Sequence, residues 1–178
     1  ENRITTKLLV MLEDKSPDVQ GLAVRCIGLI LTKSDSNTTS KVTQELLGNV
    51  MGSGSNSSDT KREMSVMALK TAVPLLPQND QIWSVVRKLM TPLLSHITSI
   101  TKEDMRLEGV EIVQALASRF GRYMMTEHSS IVDALVPLLG AERSILRKRV
   151  VACFATISGS LPDNAFDKLV AFATSEAS

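Results

Sequence analysis

LLVMLEDKSPDVQGLAVRCIGLIL, residues 8–31, reads as two helices folded back on one another. Leu8, Leu9 and Leu12 put apolar side chains on one face of the first. Val19, Ala23, Cys26, Ile27 and Ile30 do the same for the second, at offsets of 0, 4, 7, 8 and 11, which is helical spacing. Between them lies Glu13-Asp14-Lys15-Ser16-Pro17. Ser16 suits an N-cap, because its hydroxyl can accept from an orphaned N–H, and Pro17 suits the first helical position, where a missing N–H costs nothing. The stretch is a helical hairpin.

The pattern returns. With Val19 as zero, it matches again at Lys61, Met105 and Leu146, at steps of 42, 44 and 41 residues. Five positions on stand Val24, Val66, Val110 and Val151; seven on, Cys26, Ala68, Ile112 and Cys153; eight on, Ile27, Leu69, Val113 and Phe154. The fourth offset is mostly small, with Ala23, Ser65, Gly109 and Val150, which lets a neighbouring helix approach closely. The first offset is polar: Gln20, Arg62, Arg106 and Arg147. The first helices repeat as well, Leu89–Leu94 (LMTPLL) resembling Ala134–Leu139 (ALVPLL), and a proline there is expected to kink the helix.

A helical hairpin repeating at about 40–47 residues is the signature of HEAT or armadillo arrays. The proline in the first helix and the Arg opening the second favour HEAT. The expected fold is therefore all-α, an α-solenoid of HEAT-type hairpins wound as a right-handed superhelical array. Residues 1–178 read as one such array. Its hairpins fall at about 4–32, 41–76, 82–120 and 130–160, with a partial fifth repeat at 162–178.

Between these elements, 33–40 (KSDSNTTS) reads as a polar connection, and 52–59 (GSGSNSSD) as the longest turn inside a hairpin. Thr60-x-x-Glu63 reads as a capping box, Thr101 as the cap of the next second helix, and Gly121 as its stop. Phe166, Leu169, Val170 and Phe172 belong to a helix meant to be covered, and the chain begins at Glu1 inside a helical pattern. It is expected to be a segment of a longer array.

Composition narrows the function. Hydrophobic residues make up 43% and aromatics only 3%, so the core is aliphatic, as stacked helices require. A net charge of +1 argues against general nucleic-acid binding, which needs a surplus of Lys and Arg to neutralise phosphates. One Trp and one Tyr are too few for a single-strand stacking platform. No run approaches the ~18 apolar residues of a membrane span, and no signal-peptide pattern opens the chain. Cys26 and Cys153 lie three repeats apart, too far for a disulfide, and fit a reducing cytoplasm or nucleus. The glycosylation sequons at Asn37 and Asn56 read as chance matches in loops.

No catalytic constellation emerges, and no metal, cofactor or small-molecule ligand is expected. His96 and His128 have no carboxylate or cysteine at ligand spacing and read as plain surface residues. Gly52-Ser53-Gly54-Ser55 lacks the Gly-Lys-Ser/Thr of a phosphate loop. Asp104, Glu108 and Glu111 make an acidic stripe on one helix face, read as solvated, with Glu108 placed to pair with Arg149 of the next repeat. Arg143, Arg147, Lys148 and Arg149 form the densest basic cluster. Arg147 falls at the repeat's own Arg position, with Arg62 and Arg106, and is expected to bond a carbonyl or carboxylate. Arg143, Lys148, Arg149 and Arg62 are the candidate protein-binding residues.

LEDKSPDVQGLAVRCIG (12–28) resembles an N-terminal repeat of the cullin-associated, neddylation-dissociated proteins. SVMALKTAVPLLP (65–77), RLEGVEIVQALASRFG (106–121) and ILRKRVVACFATISGSL (145–161) follow in that family's order. The turn at 52–59 is longer than the family's. The resemblance implies a non-enzymatic scaffold in cytoplasm or nucleus. It would bind the cullin C-terminal domain and its RING subunit when the ubiquitin-like modifier is absent, and promote exchange of substrate receptors on cullin–RING ubiquitin ligases. It implies neither a nucleic-acid nor a membrane partner. The same repeats also build nuclear transport receptors, phosphatase scaffolds and a few enzymes acting on nucleic acid, since fold alone does not fix function.

Overall fold

The structure, a computed structural model, describes residues 2–52, 58–160 and 163–175. The chain divides into two compact units, residues 1–89 and 90–178.

The first unit holds α1 (Asn2–Met11), α2 (Pro17–Leu31), α3 (Ser36–Val50) and α4 (Asp59–Ala72), followed by a 3-10 turn, Val73–Leu75, and the opening of α5 (Asp80–Ser99). α2 starts at Pro17, as the sequence predicts, but the Ser16 hydroxyl makes no capping bond. Instead the Asp14 carboxylate accepts from the Ser16 N–H at 2.8 Å and closes the hairpin turn. α3 begins five residues before Lys41, inside the stretch read as a polar connection. Asp35 accepts from the Thr38 N–H at 2.6 Å, and this cap carries the helix back through Asn37. The α4 cap is Ser58, bonded by the Lys61 N–H at 3.1 Å; Thr60 lies inside the helix, so the predicted capping box is absent. Pro74 tightens the chain into the 3-10 turn, as a ring without an N–H must.

α1 packs on α2, and both α2 and α3 pack on α4. Leu12, Ile27, Leu31, Leu46 and Leu69 are fully enclosed, giving the aliphatic core foreseen from composition. Gly28 sets the approach of α2 to α4, since a Cβ there would lie 3.4 Å from Thr71 Cγ2 and 3.5 Å from Leu75 Cδ1. Trp83, in the opening turns of α5, is buried.

The second unit holds the rest of α5, then α6 (Glu103–Phe120), α7 (His128–Leu135), α8 (Ser144–Ile157) and α9 (Asp163–Ser175). α6 packs on α8 and α7 on α9. The residue before α6 is Lys102, not Thr101, and it makes no side-chain cap. Gly121 keeps a right-handed backbone (φ −47°) and leads into a 3-10 turn, Gly121–Tyr123, rather than ending the helix in the left-handed region. Among the described residues only Gly52, with φ +67°, has a positive φ. The two prolines of the first helices behave differently. α5 stays α-helical through Pro92, with seven residues beyond it to re-form the ladder, whereas α7 gives way at Pro137 to a 3-10 turn, Val136–Gly140. Other predicted features, the 53–57 part of the long turn and Leu161-Pro162, lie outside the described residues.

The repeat register is visible in burial. Val24, Val66 and Val110 are all buried, but Val151 at the same offset is 56% exposed. In α8 the enclosed side runs through Leu146, Val150, Cys153 and Ile157, and the side carrying Val151 meets no further second helix among the described residues.

Candidate protein-binding surface

Two of the three second-helix arginines act on the backbone, as their place in the repeat predicts. Arg106 donates from Nε to the Ile97 carbonyl at 3.1 Å and from Nη2 to that of Ile100, satisfying carbonyls at the end of α5 that have no partner in the helix ladder. Arg147 donates from Nη1 to the carbonyls of Ala141 and Glu142, the latter at 2.7 Å. Arg62 is half-buried, with Nε 4.0 Å from Asp59.

Two of the other candidates, Arg143 and Arg149, face in-chain acids of the second unit. Arg143 bonds Asp104 and lies 3.6 Å from Glu103; Asp104 beside it holds the guanidinium above its ordinary pKa. Arg149 pairs at 3.0 Å with Glu111, one helical turn beyond the Glu108 expected from spacing. Two members of the acidic stripe, Asp104 and Glu111, thus meet cations of the next repeat, and Asp104 remains 75% exposed. Lys148 is exposed and stands outside these pairs. In the first unit Glu13 accepts from the Ser58 hydroxyl at 2.6 Å and pairs with Lys61 at 3.1 Å, tying the first hairpin turn to the start of α4. The Ser58 bond, with Lys61 behind it, holds the Glu13 carboxyl below its ordinary pKa.

Both histidines are buried, which corrects their reading as surface residues. The signal was present: His128 shares helical spacing with Ile131, Val132 and Leu135, and His96 with Leu89, Leu93 and Ile97. Cys26 and Cys153 are free thiols, and burial pushes that of Cys153 up to about 12. Among the described residues no three His, Cys, Asp or Glu gather as a metal site would require. No described helix is long and apolar enough to cross a membrane.

One feature escaped the sequence reading. Between α2 and α4 runs an open cleft of about 620 Å³, lined on α2 by Pro17, Asp18, Gly21, Leu22, Val24 and Arg25 and on α4 by Met67 and Thr71. Leu22 is 55% and Met67 49% exposed, so two large apolar side chains on neighbouring helices meet solvent here. Their offsets of three and six from the repeat zero place them opposite the core stripe, and that was the available signal.

Helical hairpins packed second helix on second helix within each unit define a helical-repeat protein. Solved structures agree on the fold. A designed armadillo repeat protein in complex with the peptide (KR)4 matches 93% of this chain and 69% of its own, with TM-score 0.56 and 18% identity. An engineered protein matches 97% and 69%, with TM-score 0.58 and 17% identity. No family model matches. Curated relatives do. Cullin-associated NEDD8-dissociated protein 1 of Drosophila melanogaster is 32% identical over 173 residues, 96% of this chain. Its namesake in Dictyostelium discoideum is 30% identical over 175 residues, and that of Arabidopsis thaliana 27% over 172. The chain belongs to this cullin-associated NEDD8-dissociated family, and it spans 13–14% of the length of these relatives.

Proposed function

We propose that this chain is a non-enzymatic, protein-binding arm of a cullin exchange factor. It engages a cullin lacking the ubiquitin-like modifier, at the C-terminal domain and its RING subunit, in cytoplasm or nucleus. The observation that supports this is the match to proteins named as cullin-associated, over 94–96% of the chain, in an insect, a slime mould and a plant. The repeat architecture suits the role, because a row of second helices offers a large surface built without covalent chemistry. Exchange of receptors then follows from differential affinity: whichever ligand binds one assembly better shifts the population toward it.

In this reading 1–178 acts as one array of hairpins, and Arg143, Lys148, Arg149 and Arg62 serve at the rim of the contact. Exposed ion pairs contribute about 0–1 kcal/mol, so Arg143 can trade its exposed in-chain carboxylate, Asp104, for a partner's at little cost.

Immobilised cullin–RING heterodimer, with and without the attached modifier, provides the test. The reading expects the chain to be retained by the unmodified heterodimer and retained less by the modified one. Absence of retention by either, for this chain and for a full-length protein carrying it, would sink it.

A further inference from the structure

Besides its core stripe, each second helix has two flanks, marked by offsets 5 and 7, which lie about 200° apart round an α-helix. Offset 7 is enclosed in Ala68 (0% exposed), Ile112 (2%) and Cys153 (0%), whereas Cys26 on α2 is only half-buried. Offset 5 is enclosed in Val24, Val66 and Val110, whereas Val151 on α8 is 56% exposed. Packing within the units explains both exceptions. α4 covers the offset-5 flank of α2, and α8 covers that of α6. The two seams share a register. Asp104 and Glu111, at offsets −1 and 6, meet Arg143 and Arg149, at −3 and 3. A Cβ on Gly28, at offset 9, would lie 3.4 Å from Thr71 Cγ2, at offset 10. The earlier helix thus offers offsets 6 and 9, and the later one lays offsets 3 and 10 against them.

We propose that the open flank of α8 seats the open flank of α2 from a second copy of this chain, in the register of those two seams. The side chains that this register brings together fit. On α2, offsets 3 and 10 are Leu22 and Leu29, 55% and 63% exposed. On α8, offsets 6 and 9 are Ala152 and Ala155, small enough to leave room for both leucines. Val151 and Ile145 complete the apolar flank of α8. Lys148, at offset 2, falls level with Asp18 of the other copy, since offset −1 meets −3 and offset 6 meets 3. Both are exposed and make no ion pair among the described residues, so the contact joins two unspent charges of opposite sign. The contact is heterologous, with different patches on the two copies. The proposal does not depend on which protein partner the chain binds.

Sedimentation velocity of the 178-residue chain, from about 1 μM to about 1 mM, tests this. The wild-type chain is expected to gain mass as concentration rises. Leu29→Glu spoils the α2 flank and Val151→Glu the α8 flank. Both positions are solvent-exposed, so far-ultraviolet circular dichroism and the unfolding midpoint should be kept, while self-association of either variant alone weakens at least about tenfold. Mixing the two variants is the decisive step. Leu29→Glu retains a sound α8 flank and Val151→Glu a sound α2 flank, so the mixture forms a 1:1 dimer and nothing larger. Lys148→Asp weakens association about two- to fivefold, and adding Asp18→Lys to the same chain restores it. A wild-type chain that stays monomeric at about 1 mM overturns the proposal. So does association of either single variant at wild-type strength, as a contact through some other surface would give, or a mixture that yields no dimer.

Discussion

Gly109 and Gly48 are both helical glycines with opposite meanings. A Cβ at Gly109 would fall 2.6 Å from Ile97 Cγ1, and Ile97 is fully enclosed, so the methyl has no space to enter. Overpacking of this kind costs about 1–3 kcal/mol, which outweighs the roughly 1 kcal/mol gained in helix propensity. Gly109→Ala should therefore destabilise the chain by about 1 kcal/mol in urea unfolding. At Gly48 a Cβ meets nothing within 4 Å, and Gly48→Ala should stabilise by about 0.5–1 kcal/mol. The cysteines divide in the same way. With its thiol pushed up to about 12 by burial, Cys153 should not react with a disulfide reagent at neutral pH, while half-buried Cys26 should react slowly. Titration is expected to count one thiol in the native chain and two in denaturant.

At the scale of the element, two contacts join neighbouring pieces of chain. Ser58 caps α4 and donates to Glu13 at once, so Ser58→Ala should cost about 1 kcal/mol, the usual loss of a helix cap. Because the folded-state pKa of Glu13 is lowered, its contribution is present above about pH 4.3 and fades as pH falls through the lower folded value. The residue is largely exposed, so the amount is roughly a few tenths of a kcal/mol, and Glu13→Gln should flatten that part of the stability–pH curve. Arg106 spans from α6 to the end of α5. Arg106→Met removes donors from two carbonyls, and a loss of about 1–3 kcal/mol is expected in thermal or urea unfolding.

The elements were readable because the stripe Val19, Ala23, Ile27 and its copies repeat in phase, and a helix with one apolar stripe has few ways to bury it. Their boundaries were less readable. Asp35 and Ser58 start helices through side-chain caps that Ser, Thr and Asp offer at several nearby positions, and Lys102 precedes α6 with no side-chain cap, so these starts fell one to five residues from the predicted ones. Arg106 and Arg147 were legible from their fixed place in the repeat. The pairing of Arg149 with Glu111 was not, since it depends on how far α8 is shifted along α6, a quantity no offset within one helix encodes.

For the whole molecule, the aliphatic composition has a practical consequence. The chain owns one tryptophan, Trp83, and it is buried within residues 1–89, while its one tyrosine, Tyr123, stacks edge-on to Phe120 within 90–178. Indole emission therefore reports melting of the first half alone, with no engineered label, and far-ultraviolet ellipticity reports both. Coincident curves from the two signals would mean that the halves lose structure together, as a single array of hairpins should; a lag between them would reveal separate melting and would mark which half loosens first.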